Sequence, residues 1–136
     1  MDPLLVGVIH WIHVFFGVFW FGTVLYTRLV LLPALRTLPD EQYQNVRRAM
    51  LSGNARRWTY TFGYGTIVFG ILRGAVNGVF AQLDTPYGVT YLAALVLGVF
   101  MLVINLGPWS HPLFPTLFVW SFPVMFTLMV LMRFGL

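Results

Sequence analysis

Two histidines, His10 and His13, stand one helical turn apart inside an apolar run that extends from Pro3 to Leu32. A segment of that length is enough to cross a bilayer. Ionisable side chains within one are costly, face protein rather than lipid, and mark a functional site by default. An imidazole held there can ligate a metal, orient a second ligand or relay a proton. Arg73 lies in a second apolar stretch and offers a fixed positive charge. Met125, Met129 and Met132 recur at helical spacing in the last apolar stretch and offer thioether sulfur. Other chemistries lack their groups. The chain has no cysteine, which excludes disulfides and thiolate sites. None of its four acidic residues lies within an apolar stretch, which argues against paired-carboxylate catalysis and carboxylate-driven proton pumping.

Such groups need a scaffold that excludes water, and the composition describes one. Of 136 residues, 59% are hydrophobic and only 9% charged, against roughly 25% charged in soluble domains. The reading is an all-α integral membrane protein, a four-helix transmembrane bundle forming a single domain over residues 1–136. Its spans are placed at about 4–32, 58–80, 88–107 and 114–134. The N-terminus lacks a basic n-region and its apolar run is too long for a signal peptide, so it is read as a retained first span.

All eight basic residues are arginine. Arg36, Arg47, Arg48, Arg56 and Arg57 crowd the 33–57 connection, whereas Asp2 and Asp84 mark the N-terminus and the 81–87 loop. An arginine excess in short loops marks the cytoplasmic side, so the 33–57 loop and the 108–113 turn are placed inside and both termini outside. Arg133 is an exception to that rule. The charge is read as topology and not as nucleic-acid binding. Within the inner loop, Thr37-Leu38-Pro39-Asp40 predicts a helix start that extends toward the second span, weakened at Ser52-Gly53.

Helical periodicity then assigns faces. His10, His13, Gly17, Trp20, Val24 and Arg28 share one face of the first span, with Val8, Ile12, Phe15, Phe19 and Tyr26 roughly opposite. Small and polar residues mark the packed side of a membrane helix, so the histidine face is expected to point inward. In the second span Gly63, Thr66, Gly70, Arg73 and Asn77 share a face, beside a Gly70-x3-Gly74-x3-Gly78 ridge that suits close helix packing or a flat ligand. Arg73 either snorkels to the headgroups or meets an anion, Asp84 or a cofactor carboxylate. In the fourth span Phe118, Ser121, Met125, Met129 and Met132 share a face that Pro123 is expected to kink.

Depth decides which of these groups can meet. His13 sits about 5 residues outward of mid-span, roughly 7 Å by helical rise, and Arg73 and Met129 fall in the same half. His111, in the Trp109-Ser110-His111-Pro112 turn, belongs to the opposite side. His10 and His13 approach from one helix and cannot flank one iron. Haem iron accepts histidine alone or histidine with methionine, so His13 with Met129 is a permissible axial pair. Copper is a second possibility, through histidine and methionine.

The stretch from His13 through Trp20, Gly22, Tyr26 and Arg28 to Leu31-Leu32-Pro33-Ala34-Leu35-Arg36 resembles the first span of small bacterial membrane proteins related to the copper-resistance CopD domain. It is also similar to HemJ-type protoporphyrinogen oxidases, four-helix proteins that bind haem b. The resemblance covers about a quarter of the chain. It implies that His13 is an axial haem ligand, with Trp20, Tyr26 and Arg28 lining or supporting the site, in a protein of the bacterial cytoplasmic membrane. The third span departs from the HemJ pattern, with no lysine around Thr90-Tyr91-Leu92-Ala93-Ala94-Leu95 and no tyrosine-histidine pair after it. The resemblance therefore carries haem binding further than it carries porphyrinogen oxidation.

Together these features lead to the expectation of haem b in the outer half, with His13 on iron, His10 beside it, Arg73 on a propionate, Gly70 bare toward the ring and Met129 as a possible second ligand. The expected role is electron transfer to or from quinone or a larger membrane complex. The alternatives are a cofactor-free accessory subunit in a homo- or hetero-oligomer, and a CopD-like copper-handling protein.

Overall fold

The first helix begins and bends for identifiable reasons. Asp2 caps it, its carboxylate accepting from the Leu4 amide at 2.9 Å, and Pro3 sits in the first turn where it forfeits no hydrogen bond. In the computed structural model, which describes residues 2–50, 52–106 and 113–136, α1 runs over Pro3–Leu35. Pro33 cannot donate to the Leu29 carbonyl. The helix widens to a π turn over Thr27–Leu31, where the Leu32 amide reaches the Thr27 carbonyl instead.

Four more helices follow: α2 (Asp40–Met50), α3 (Gly53–Val76), α4 (Pro86–Leu106) and α5 (Leu113–Arg133). No strand occurs among the described residues. α2 has Asp40 and Glu41 in its first turn and Arg47 and Arg48 in its last, the arrangement that suits the helix dipole. α3 stops at Asn77 because Gly78 takes a left-handed conformation (φ 70°), followed by a 3-10 turn over Val79–Ala81. Thr85 opens α4 by accepting from the Gly88 amide at 3.1 Å. Gly88 itself lies against the Gln82–Leu83 backbone, where a Cβ has no room.

α1 packs along α3, α3 on α4, and α4 on α5. α1 and α5 then face each other, meeting through Phe21 and Phe122, whose rings stand edge-on with centroids 4.6 Å apart. The start of α1, the end of α3, the start of α4 and the end of α5 gather at one end of the bundle, called here the terminal end. The loop end carries α2 and holds the core: Trp20, Val24, Met101, Leu102, Phe118 and Phe122 are buried there. Val8, Phe15, Phe19 and Tyr26 point outward, as periodicity predicts.

Three helices are long and apolar enough to cross a membrane: Pro3–Leu35, Pro86–Asn105 and Leu113–Arg133. The sequence predicts four spans and the structure has five helices. α2 is a separate helix because Gly53 turns left-handed (φ 57°) and breaks it from α3. α3 has the length of a span, but its glycines, threonines and tyrosines, with Arg56, Arg57 and Arg73, leave it less apolar than the other three. Thr37 does not open α2 as expected. Its hydroxyl donates back to the Ala34 carbonyl at 2.8 Å and closes α1. Where a span is expected at 58–80 the structure has a helix over Gly53–Val76, so Gly78 ends the helix and is no part of a glycine ridge. The proposed 108–113 turn, with Trp109 and His111, lies largely outside the described residues. Pro123 falls inside α5, which continues unbroken past it.

Candidate functional site

At the terminal end the four long helices do not close on one another. They border a partly open cavity of about 620 Å³, within the range of sites for small ligands and cofactors. Six of the eight residues singled out in the sequence line it: His10, His13, Trp20, Gly70, Arg73 and Met129. The periodicity of three separate segments thus converges on one space.

His13 is the best-defined group in it. Its Nδ1 lies 2.9 Å from the Thr66 carbonyl oxygen on α3. A carbonyl can only accept, so Nδ1 carries the hydrogen, and in the neutral ring Nε2 is left with a free lone pair. A backbone carbonyl fixing one imidazole nitrogen while the other remains available is the usual outer-shell arrangement of a metal-ligating histidine. The ring can come this close because position 70 is glycine: a Cβ there would stand 3.0 Å from His13 Cε1. Gly70 therefore serves as the seat of the imidazole, and its backbone is covered by that ring on the α1 side. One turn on, the Tyr91 ring rests on Gly74, and its hydroxyl donates to the Gly70 carbonyl at 3.3 Å. Glycine here admits two side chains from neighbouring helices.

Arg73 reaches the cavity from the last turn of α3 and lies within electrostatic reach of His10 and His13. Its Nε is buried and has no hydrogen-bond partner among the described residues. The sequence offered Asp84 as its anion, but Asp84 is exposed and does not line the cavity. A buried, unpaired guanidinium nitrogen is expensive, and its position invites a negatively charged occupant.

Across from the histidine wall, α5 contributes Met125, Met129 and Met132. Met125 is buried and belongs to the core, whereas Met129 is 38% exposed and can move toward an occupant. Trp20 forms part of the wall between cavity and core and is 1% exposed. Its Nε1 is buried beside Gly63 without a hydrogen-bond partner among the described residues.

Two residues named from the resemblance lie elsewhere. Tyr26 is 57% exposed on the outer face of α1. Arg28 lies in the π turn, about 22 Å along the helix from His13, and is within electrostatic reach of Arg47 at the loop end. Neither lines the cavity.

Sequence reasoning missed three contributors. The Thr66 carbonyl is a backbone group and has no sequence signature. Tyr91 follows Tyr87 at helical spacing, a signal that was there to be used. Arg133 enters the lining from the last residue of α5.

The arrangement brings together donors that could hold a cofactor or metal ion: one imidazole with a free nitrogen, a thioether on a facing helix, a cation without a partner among the described residues, and apolar walls. No cluster of three or more histidine, cysteine or carboxylate side chains occurs among the described residues. No protein-family model, curated protein or solved structure matches the chain.

Proposed function

We propose that this chain is a four-span integral membrane protein that holds haem b in its cavity and passes single electrons to or from a quinone or a larger membrane complex. The observation that carries the reading is His13, locked through Nδ1 on the Thr66 carbonyl beside a cavity of about 620 Å³. His13 would be the axial ligand and Met129 a second donor. Arg73 would face a propionate, and His10, one turn nearer the rim, would border it. Haem bound there would supply one-electron redox chemistry, while the chain would set its potential through axial ligation, burial and nearby charge.

α3 is the fourth span in this reading. Its 24 residues reach about 36 Å. Arg56 and Arg57 at one end can snorkel, and Arg73 at the other turns into the cavity. The arginine-rich loop end faces the cytoplasm and both termini lie outside, in a bacterial cytoplasmic membrane.

The test is an absorption spectrum. Protein purified in detergent after expression with haem supply should show a Soret band that shifts on reduction, and His13→Ala should lose it while keeping its helical circular dichroism. A colourless wild-type protein overturns the proposal. Copper retained in place of iron, and lost on replacing both His10 and His13, would favour the copper reading. Colourless material that co-purifies with stoichiometric membrane partners would favour an accessory subunit.

A further inference from the structure

Arg133 is the one arginine that breaks the charge asymmetry of the loops, lying at the terminal end with Asp2 and Asp84 rather than with the arginines of the 33–57 connection. The structure supplies a reason for its presence. It lines the same cavity as Arg73, approaching from α5 while Arg73 approaches from α3. The rest of that rim is uncharged or weakly basic, with His10, Asn77 and Tyr87, and no carboxylate lines the cavity among the described residues. Two guanidinium groups on separate helices therefore border one apolar space, and one of them has a buried, unpaired Nε.

We infer that Arg73 and Arg133 form a clamp for an occupant bearing two negative charges next to an apolar body, one cation to each charge. Planar guanidinium groups suit carboxylates through paired, charge-assisted hydrogen bonds. The clamp selects for a ring system with two carboxylates on one edge, which in the reading above means the two haem propionates. The inference rests on that reading for the identity of the ligand. The charge argument itself needs no iron.

The competing account is snorkelling, in which Arg133 merely extends to headgroups at the end of its helix. An anionic phospholipid could also bring negative charge to the same pair. Metal-free porphyrins separate these accounts from one another and from axial ligation. Wild-type protein in nanodiscs of purely zwitterionic lipid is titrated with protoporphyrin IX and with its dimethyl ester, and binding is read by porphyrin fluorescence.

The expected result is that wild type prefers the dicarboxylate by about tenfold to a hundredfold, the range that a hydrogen bond to a charged group supplies. Arg133→Gln should lose the part of that preference that one of the two cations supplies, a fall of about threefold to tenfold, with ester binding unchanged, which shows the variant to be folded. Arg133→Lys should restore part of it. His13→Ala should keep the preference even though it loses the iron-dependent Soret band, so a failure of axial ligation and a failure of the clamp give different results. Equal binding of acid and ester by wild type overturns the inference, as does a preference that Arg133→Gln leaves undiminished. Retention of an anionic phospholipid through Arg133 without any porphyrin preference overturns it in favour of a headgroup site.

Discussion

At the loop end Trp20, Met101 and Phe118 fill the bundle axis to 1% exposure or less. At the terminal end the same four long helices hold a cavity of about 620 Å³ between His13 and the methionines of α5. The side chains account for the difference. Where α1 carries Trp20 and α5 carries Phe118 and Phe122, rings interlock, with Phe118 and Phe122 edge-on at 5.3 Å. Where α1 carries His13 and Gly17 and α3 carries Gly70, the wall is flat and the facing side chains are flexible thioethers. Between membrane helices, association rests on close packing more than on exclusion of water. The filled half therefore has the close packing that the open half lacks.

That division can be broken most directly from the filled side. Phe118→Ala should cost about 3 to 5 kcal/mol of stability, the range for losing a buried aromatic. The measurement is resistance to denaturation in detergent, compared with His13→Ala. If the His13 variant loses as much stability as the Phe118 variant, the two halves are not separate in function and the imidazole is a structural group.

A smaller effect should come from the seat of the imidazole. Gly70→Ala places a methyl 3.0 Å from His13 Cε1, closer than most such contacts, so the ring must shift by a few tenths of an ångström. Displacing the support of a metal-bound histidine typically weakens the site about tenfold to a hundredfold. Haem titration should show that loss, with denaturation close to wild type. Unchanged haem affinity would mean that His13 does not need its present position to bind.

These two experiments also separate what could be read in the sequence from what could not. The faces of the helices were legible, because a period of about 3.6 residues alone brings His10, His13, Gly17 and Trp20 to one side of α1. The three helices long and apolar enough to cross a membrane were legible from unbroken apolar length. The limits of α3 were not. Gly78 stands in register with Gly70 and Gly74, yet only its left-handed backbone shows that it ends the helix. The break at Gly53, by contrast, falls where the Ser52-Gly53 pair predicts a weakened helix. Arg133 departs from the topology rule, and its place on a cavity that several helices form together cannot be read from any one of them. The Thr66 carbonyl, which orients the central imidazole, is common to every residue type and so leaves no trace in composition or spacing.

The smallest expected effect tests resemblance against distance. Tyr26 and Arg28 stand at positions that the similarity of the first span associates with a haem site. Tyr26 lies about 20 Å along the helix from His13, and Arg28 slightly further. The π turn at Thr27–Leu31 adds a local widening and does not fold the helix back. Tyr26 faces outward, and Arg28 stands beside Arg47, away from both the cavity and Arg73. Tyr26→Phe and Arg28→Gln should therefore leave haem affinity and Soret position within about twofold of wild type, since distant sites without shared partners act independently. The same titration used for Gly70→Ala measures this. A loss approaching that of the Gly70 variant would show that the loop end takes part in binding, and the contrast between a filled half and a ligand-holding half would have to be abandoned.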